Sequence, residues 1–131
     1  MGRNRVMLLD TCALLWLTHD QNKINQAVIE LIKKSPVIYV SAVSAFEIGL
    51  KHKAGKLYLP VLPKSWFDKI IKHHHIEVID LNWEICVKAT ELPDIHRDPC
   101  DRFIIATALT KQLPVVTADK RFEAYGVQVY I

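Results

Sequence analysis

The feature that most constrains the fold is a short apolar run that ends on a carboxylate. Four apolar residues at positions 6–9 are followed directly by Asp10. An apolar run without alternation is typical of a strand that is buried on both faces, as in a parallel sheet with helices on either side. Asp10 then falls at the carboxyl end of that strand, at the edge of the sheet where α/β proteins bind ligands. A helix N-cap is the alternative interpretation, because Asp is favoured there.

The rest of the chain alternates short β-forming segments with helical ones. Further strands are predicted at residues 37–40, 76–81, 113–117 and 127–131. Helices are predicted at residues 12–18, 23–34, 42–53, 64–73, 82–92 and 100–112. The helical links are long enough for parallel crossovers, so we expect residues 1–131 to form one domain with a parallel sheet covered on both faces.

Composition restricts the cellular setting. No apolar run approaches the ~20 residues of a membrane span, and the first five residues do not begin a signal segment. We therefore expect a soluble, cytoplasmic protein without a membrane partner. Cys12, Cys86 and Cys100 are an odd number without paired spacing, which favours reduced thiols over disulfides or a zinc ribbon.

Three further carboxylates are placed by the pattern toward the same edge as Asp10. Glu47 lies within the apolar helix that follows the second strand, and Asp119 follows the fourth strand. Asp101 lies in the first turn of a helix that Asp98 and Pro99 open as cap and first residue. The structural alternatives are a solvated outer stripe for Glu47 and a helix-dipole partner for Asp101.

Four carboxylates that meet at one edge repel each other, so such a cluster is best explained by a bound cation. Oxygen donors without His or Cys favour Mg²⁺ or Mn²⁺ over zinc. Such ions activate water and stabilise charge on phosphate during phosphodiester hydrolysis. Lys and Arg number 17 against 14 Asp and Glu, so gathering four acids in one pocket leaves a basic surface around it. That arrangement suits a polyanionic substrate.

Four blocks of the sequence together resemble the PIN domain in its VapC-type toxin branch. They are Leu8-Leu9-Asp10-Thr11, the segment from Tyr39 to Ile48 that contains Glu47, the segment from His96 to Arg102 that contains Asp101, and the segment from Val116 to Phe122 that contains Asp119. The resemblance spans nearly the whole chain, and the order and spacing of the blocks are specific.

This resemblance implies a three-layer α/β/α sandwich with a central parallel sheet, and a ribonuclease dependent on Mg²⁺ or Mn²⁺. Asp10, Glu47, Asp101 and Asp119 match the acidic quartet that would be catalytic and metal-binding. The small hydroxyl positions beside those acids are matched by Thr11 and Thr117. Cys100 stands where an aromatic is expected and Cys12 where His or Ser is common, and neither replaces a ligand.

The resemblance also implies two protein partners, a second copy of the chain and a VapB-like antitoxin. The apolar residues 14–17 and the proline-bounded residues 57–62 exceed what a small domain buries easily. We therefore expect these two segments to contribute to an interface.

Other functions remain as alternatives. A housekeeping PIN nuclease without antitoxin and a non-cleaving RNA-binding module share most of these features. A phosphate-receiver domain would need an acidic pair after the first strand, where this chain has Asp10-Thr11, and a late Lys that is not evident. A haloacid-dehalogenase-type phosphatase would need an acid at Cys12.

Overall fold

The computed structural model describes residues 6–130. The first five residues, and Ile131 at the end of the predicted last strand, lie outside this range. The strands are β1 (Leu8–Leu9), β2 (Ile38–Ser41), β3 (Ile76–Ile79), β4 (Val115–Val116) and β5 (Val129–Tyr130). The helices are α1 (Thr11–His19), α2 (Gln26–Lys34), α3 (Ala42–Lys53), α4 (Pro63–His74), α5 (Trp83–Glu91) and α6 (Pro99–Lys111). Short 3₁₀ turns follow α1 and β4.

The five strands form one parallel sheet in the order β3-β2-β1-β4-β5. The first strand is therefore the central one, with Leu8 opposite Tyr39 on one side and Val115 on the other. Several strands are shorter than predicted. The hydrogen bonds of β1 nevertheless extend beyond it, because Met7 accepts from the Tyr39 amide and the Asp10 amide donates to Val116.

The core lies in two layers, one on each face of this sheet. Leu8 and Val115 pack with residues of α5 and α6, whereas Leu9 and Val116 pack with residues of α1, α2 and α4. All four side chains are buried, and neighbours along each strand point to opposite faces. The predicted α/β/α sandwich is confirmed. Helices cover both faces of β1, which explains why the residues before Asp10 are all apolar.

Local signals explain where the helices begin and end. Asp10, Asn25, Ser41, Asn82 and Asp98 each accept a hydrogen bond from a backbone amide of the helix that follows. The predicted cap at Asp98 followed by Pro99 is thus observed. Because the strands are parallel, the helices that start after β1 and β2 begin at the same edge of the sheet as the residues after β4.

The exposed apolar surface differs in part from the expectation. Leu14 and Leu17 of α1 are buried in the chain's own core, and Leu59 is buried under the loop before α4. Residues 57–62 do expose apolar surface, at Tyr58 and Leu62. Further large exposed apolar side chains lie on α3, on α5 and on the loop after α5: Phe46, Leu50, Trp83, Val87 and Ile95. Among residues 6–130, no helix is both long and apolar enough to span a membrane.

Candidate active site

The carboxyl edge of the sheet carries an open cavity of about 360 Å³. Its lining contains all four predicted acids together with other polar and apolar residues: Asp10, Thr11, Cys12, Trp16, Glu47, Lys51, Asp98, Asp101, Ala118 and Asp119. We call this cavity the acidic pocket. The parallel sheet brings these residues together, since each follows a strand or lies in one of the helices that begin at this edge.

Asp10 is both a helix cap and a member of the acidic pocket, so both interpretations of this residue hold. Its Oδ1 accepts from the amide of Ala13 at 2.8 Å and so caps α1. The side chain is only 6% exposed, and this burial raises the pKa of the carboxyl above its ordinary value. Hydrogen bonds from Thr117 and Ala13 oppose that rise in pKa, and the nearby charges of Glu47 and Asp119 add to it. Asp10 therefore lies where a cation would favour its ionised form.

Glu47 has a buried carboxylate oxygen without a hydrogen-bond partner. Its side chain is 17% exposed, and its Oε2 lies 3.7 Å from Lys51 Nζ, one helical turn further along α3. Its Oε1 is the one fully buried side-chain polar atom of the described residues that has no hydrogen-bond partner. Such an atom costs free energy unless something binds it. A cation in the acidic pocket would supply that partner.

Asp101 and Asp119 are joined by a histidine. The buried Nε2 of His96 lies 2.8 Å from Asp119 Oδ2 and 3.0 Å from Asp101 Oδ2. On the other side of the ring, Nδ1 accepts from the amide of Asp98 at 3.2 Å. Because Nδ1 is an acceptor, Nε2 carries the ring proton and donates it to Asp119, with Asp101 in close contact. His96 thus acts as a hydrogen-bond donor in this arrangement and leaves metal binding to the oxygens.

Asp119 has a second partner in Arg121. The guanidinium donates from Nε to Oδ1 at 3.0 Å and from Nη2 to Oδ2 at 2.8 Å. This side-chain pairing with Arg121 is the main reason that the pKa of Asp119 is lowered to about 2. For Asp101 the balance is reversed, because burial and then the charge of Asp98 raise its pKa to about 6. Neighbouring carboxylates of one pocket therefore differ in how readily they ionise.

The two predicted hydroxyls have different partners. Thr117 accepts from the amide of Asp119 at 3.0 Å, and its hydroxyl beside Asp10 lowers the pKa of that carboxyl. The Thr11 hydroxyl pairs with the Ser44 hydroxyl at 2.9 Å, which ties the start of α1 to α3. Both threonines are buried. Thr117 orients the site directly, and Thr11 fixes the helix that carries the pocket wall.

The cysteines are free thiols, as expected from their spacing. Cys12 lines the pocket, and its pKa is raised by burial and then by the charge of Asp10. The pKa of Cys100 is raised to about 11, again chiefly by burial. A protonated thiol is a poor metal ligand, so the donor set of the pocket consists of carboxylate oxygens.

Three polar residues of this site were not identified from the sequence. They are His96, Lys51 and Arg121. The sequence contained a signal for two of them, because His96 and Arg121 lie in the same polar blocks as Asp101 and Asp119. Lys51 was identifiable only from its spacing, four residues after Glu47 on one helix.

The donor set fits a hard divalent cation. Four carboxylates face one cavity, and one of their oxygens is buried without a partner. Oxygen atoms from Asp101 and Asp119 lie within 4.8 Å of each other and of His96 Nε2. These are the ligands that Mg²⁺ and Mn²⁺ prefer.

Comparison with known proteins gives consistent matches along the chain. A family model described as the PIN domain matches residues 7–128. Ribonuclease VapC22 of Mycobacterium tuberculosis is 25% identical over 120 residues, which cover 91% of each chain.

Solved structures share the fold at lower sequence identity. The crystal structure of VapBC2 from Rickettsia felis bound to a DNA fragment has a TM-score of 0.71 at 17% identity, with 95% of this chain and 96% of that chain covered. The DNA-bound VapBC from Salmonella typhimurium has a TM-score of 0.67 at 18% identity, with 97% of each chain covered.

Proposed function

Since this chain belongs to the PIN domain family, we propose that it is a metal-dependent ribonuclease and the toxin of a VapBC-type toxin–antitoxin system. The observation that supports this most strongly is the acidic pocket, in which four carboxylates converge and Glu47 Oε1 is buried without a partner. A domain that only bound RNA would gain nothing from four acids that repel each other and the phosphate backbone.

In this proposal Asp10, Glu47, Asp101 and Asp119 hold Mg²⁺ or Mn²⁺. The ion, when bound, supplies an activated water and stabilises negative charge on the phosphate that is attacked. Thr117 helps to orient both Asp10 and Asp119, because its hydroxyl accepts from the Asp119 amide and lies beside the Asp10 carboxyl. Because oxygen ligands and a divalent charge are what the chemistry requires, the choice between Mg²⁺ and Mn²⁺ is a matter of availability and geometry.

Positive side chains at the pocket mouth would bind the RNA backbone. Lys51 lines the pocket with its side chain 40% exposed, and Arg121 lies beside Asp119 with its side chain 57% exposed. Each pairs with one acid of the pocket, so each places a positive charge beside the carboxylates. The net charge of +3 adds a weak attraction for a polyanion.

The toxin assignment rests on the relative named ribonuclease VapC22 and on solved VapBC complexes with the same fold. We propose that this chain binds a VapB-like antitoxin and a second copy of itself. The exposed apolar side chains Tyr58 and Trp83, at 82% and 75% exposure, are suited to such contacts. Light scattering at tens of micromolar tests the homodimer, and a strict monomer would contradict it.

The function is tested by inducing the chain in cells and sequencing the 5′ ends of cellular RNA. We expect new 5′ ends together with growth arrest, and neither with Asp10→Asn. Expression of a candidate antitoxin encoded next to the gene should restore growth. New 5′ ends without growth arrest would support a housekeeping nuclease, and no new ends would contradict the ribonuclease assignment.

A further inference from the structure

His96 lies under the acidic pocket and touches two of its carboxylates, although it was not among the residues singled out from the sequence. We propose that His96 is a positioning residue, which holds Asp119 through its Nε2–H donor and sets the separation from Asp101, whose Oδ2 lies 3.0 Å from the same nitrogen. This inference rests on the proposed metal-dependent function, because the spacing of those two carboxylates matters for binding a cation.

The hydrogen bonds define the role of the ring. Nε2 donates to Asp119 Oδ2 at 2.8 Å, and Asp101 Oδ2 lies 3.0 Å from the same nitrogen in a close electrostatic contact. The Asp98 amide donates to Nδ1 and thereby keeps the proton on Nε2. The ring is only 2% exposed, so water does not compete for this donor.

The backbone of His96 is held on both sides. Its amide donates to Tyr125 Oη at 2.7 Å, and the same hydroxyl donates to Pro93 at 2.7 Å. Its carbonyl accepts from Arg102 Nη1 at 2.9 Å. The ring also meets Phe122 edge-on at a centroid distance of 6.0 Å. Contacts from α6 and from the 3₁₀ turn after β4 therefore determine where the donor points.

The Nε2–H of His96 opposes the repulsion between the carboxylates of Asp101 and Asp119. Asp101 starts a helix and Asp119 follows a strand, so no local backbone geometry sets the distance between them. Their mutual repulsion would separate them in the absence of a cation. A buried N–H between the two Oδ2 atoms opposes that separation, and it leaves the other oxygen of Asp101 free for a ligand.

Arg121 does not perform the same task. It pairs with Asp119, yet its side chain is 57% exposed and makes no hydrogen bond to Asp101 among the described residues. A solvent-exposed pair of this kind is exchangeable. His96 is the buried contact that the two acids have in common.

The test compares two variants of the full-length protein, His96→Leu and His96→Gln. Leu fills a similar volume without a donor, whereas the Gln amide reaches the position of Nε2 and restores an N–H. Calorimetric titration of metal-free protein with MnCl₂ should show about 10–100-fold weaker binding for His96→Leu. His96→Gln should remain within a few-fold of the wild type. The exposed His73→Leu serves as the matched control and should bind as the wild type does.

Two results would overturn the proposal. One is a folded His96→Leu variant with wild-type affinity for Mn²⁺. The other is His96→Gln as weak as His96→Leu, since that would make His96 a metal ligand or a space-filler rather than a donor. If His96→Leu does not fold, Tyr125→Phe replaces it. This variant loosens only the segment that carries the ring, and it should weaken Mn²⁺ binding several-fold, whereas unchanged affinity would contradict the proposal.

The same titrations separate this inference from the proposed function. Wild-type protein that binds Mn²⁺ but leaves RNA intact would contradict the nuclease assignment, and the difference between His96→Leu and His96→Gln would still support the positioning role. Conversely, RNA cleavage with no difference among the His96 variants in Mn²⁺ affinity would contradict the positioning role alone.

Discussion

The two halves of the acidic pocket are supported in different ways. One half consists of Asp101 and Asp119. The chain itself neutralises Asp119 through His96 and Arg121, whereas burial raises the pKa of Asp101 to about 6. Asp10 and Glu47 form the other half, in which burial raises the pKa of Asp10 and Glu47 Oε1 has no partner. Asp119 is therefore paired before any ligand arrives.

This difference indicates where a cation would contribute most. Adding positive charge to the Asp10–Glu47 half relieves repulsion and satisfies a buried oxygen. In the Asp101–Asp119 half, the cation would have to share the oxygens of Asp119, which already accept hydrogen bonds from His96 and Arg121. The pocket is thus pre-organised on one side and open on the other, and each prediction below acts on that contrast.

The largest effect is expected on the rate of RNA cleavage when one carboxylate of either half is neutralised by mutation. Asp10→Asn and Asp101→Asn should each reduce RNA cleavage by about a thousandfold, which corresponds to the several kcal/mol that a bound metal contributes. Asp80→Asn is the matched control, because Asp80 also follows a strand at this edge but is exposed and does not line the pocket. Single-turnover cleavage at saturating Mn²⁺ measures the effect. Full activity in either variant would contradict the site.

The next largest effect is the stabilisation of the folded state by metal. Mg²⁺ or Mn²⁺ at a hundredfold excess over the dissociation constant should add about 2.7 kcal/mol to the free energy of unfolding. Glu47→Gln should lose most of this gain, since it removes the unpartnered oxygen's charge. Thermal melts with metal and with EDTA measure it. A melting temperature indifferent to both ions would mean that the pocket does not bind them.

Metal-free stability should change in opposite directions in the two halves. Glu47→Gln should raise the free energy of unfolding by about 1 kcal/mol, because it removes the charge of a carboxylate whose buried Oε1 has no partner. Asp119→Asn should lower it by about 1 kcal/mol, because it weakens the hydrogen bonds from His96 and Arg121. Urea melts in EDTA measure both. A change of the same sign in the two variants would refute the contrast between the halves.

The smallest effect is a pH dependence carried by Asp101. Its pKa is raised from 3.8 to about 6 in the folded protein, so the folded state binds more protons than the unfolded state between these values. Its contribution to stability is therefore present below pH 3.8 and lost as pH rises to about 6. In EDTA, Asp101→Asn should have a higher free energy of unfolding than the wild type at pH 7, and the two should converge near pH 4. The same difference at both pH values would exclude this cause.

The sequence predicted those parts of the site that follow from strand ends. Asp10 and Asp119 were identifiable because each comes directly after a β-forming segment, and parallel strands carry such residues to one edge. Glu47 was identifiable because a charge within so apolar a helix needs a reason. Their convergence in one cavity agrees with that interpretation, while their role as metal ligands remains a prediction.

The rest depended on tertiary contacts that no periodicity contains. The position of His96 is set by Tyr125 and Arg102, which are distant in sequence or belong to another element. The apolar run of α1 looked like an interface, but it is needed to cover one face of the sheet, and exposed apolar residues such as Trp83 lie elsewhere. A pattern of apolar residues predicts how much surface must be buried, but it does not predict which element or chain covers that surface.

The central position of β1 determines when the acidic pocket can form during synthesis of the chain. The first strand emerges early from the ribosome, but its neighbour β4 lies near the end of the chain, and Asp10 depends on Thr117 and Asp119 beside that late strand. Proteins fold as their chains emerge, beginning with the amino-terminal part. A nascent chain therefore carries part of the sheet and an incomplete acidic pocket until β4 and Asp119 have been synthesised.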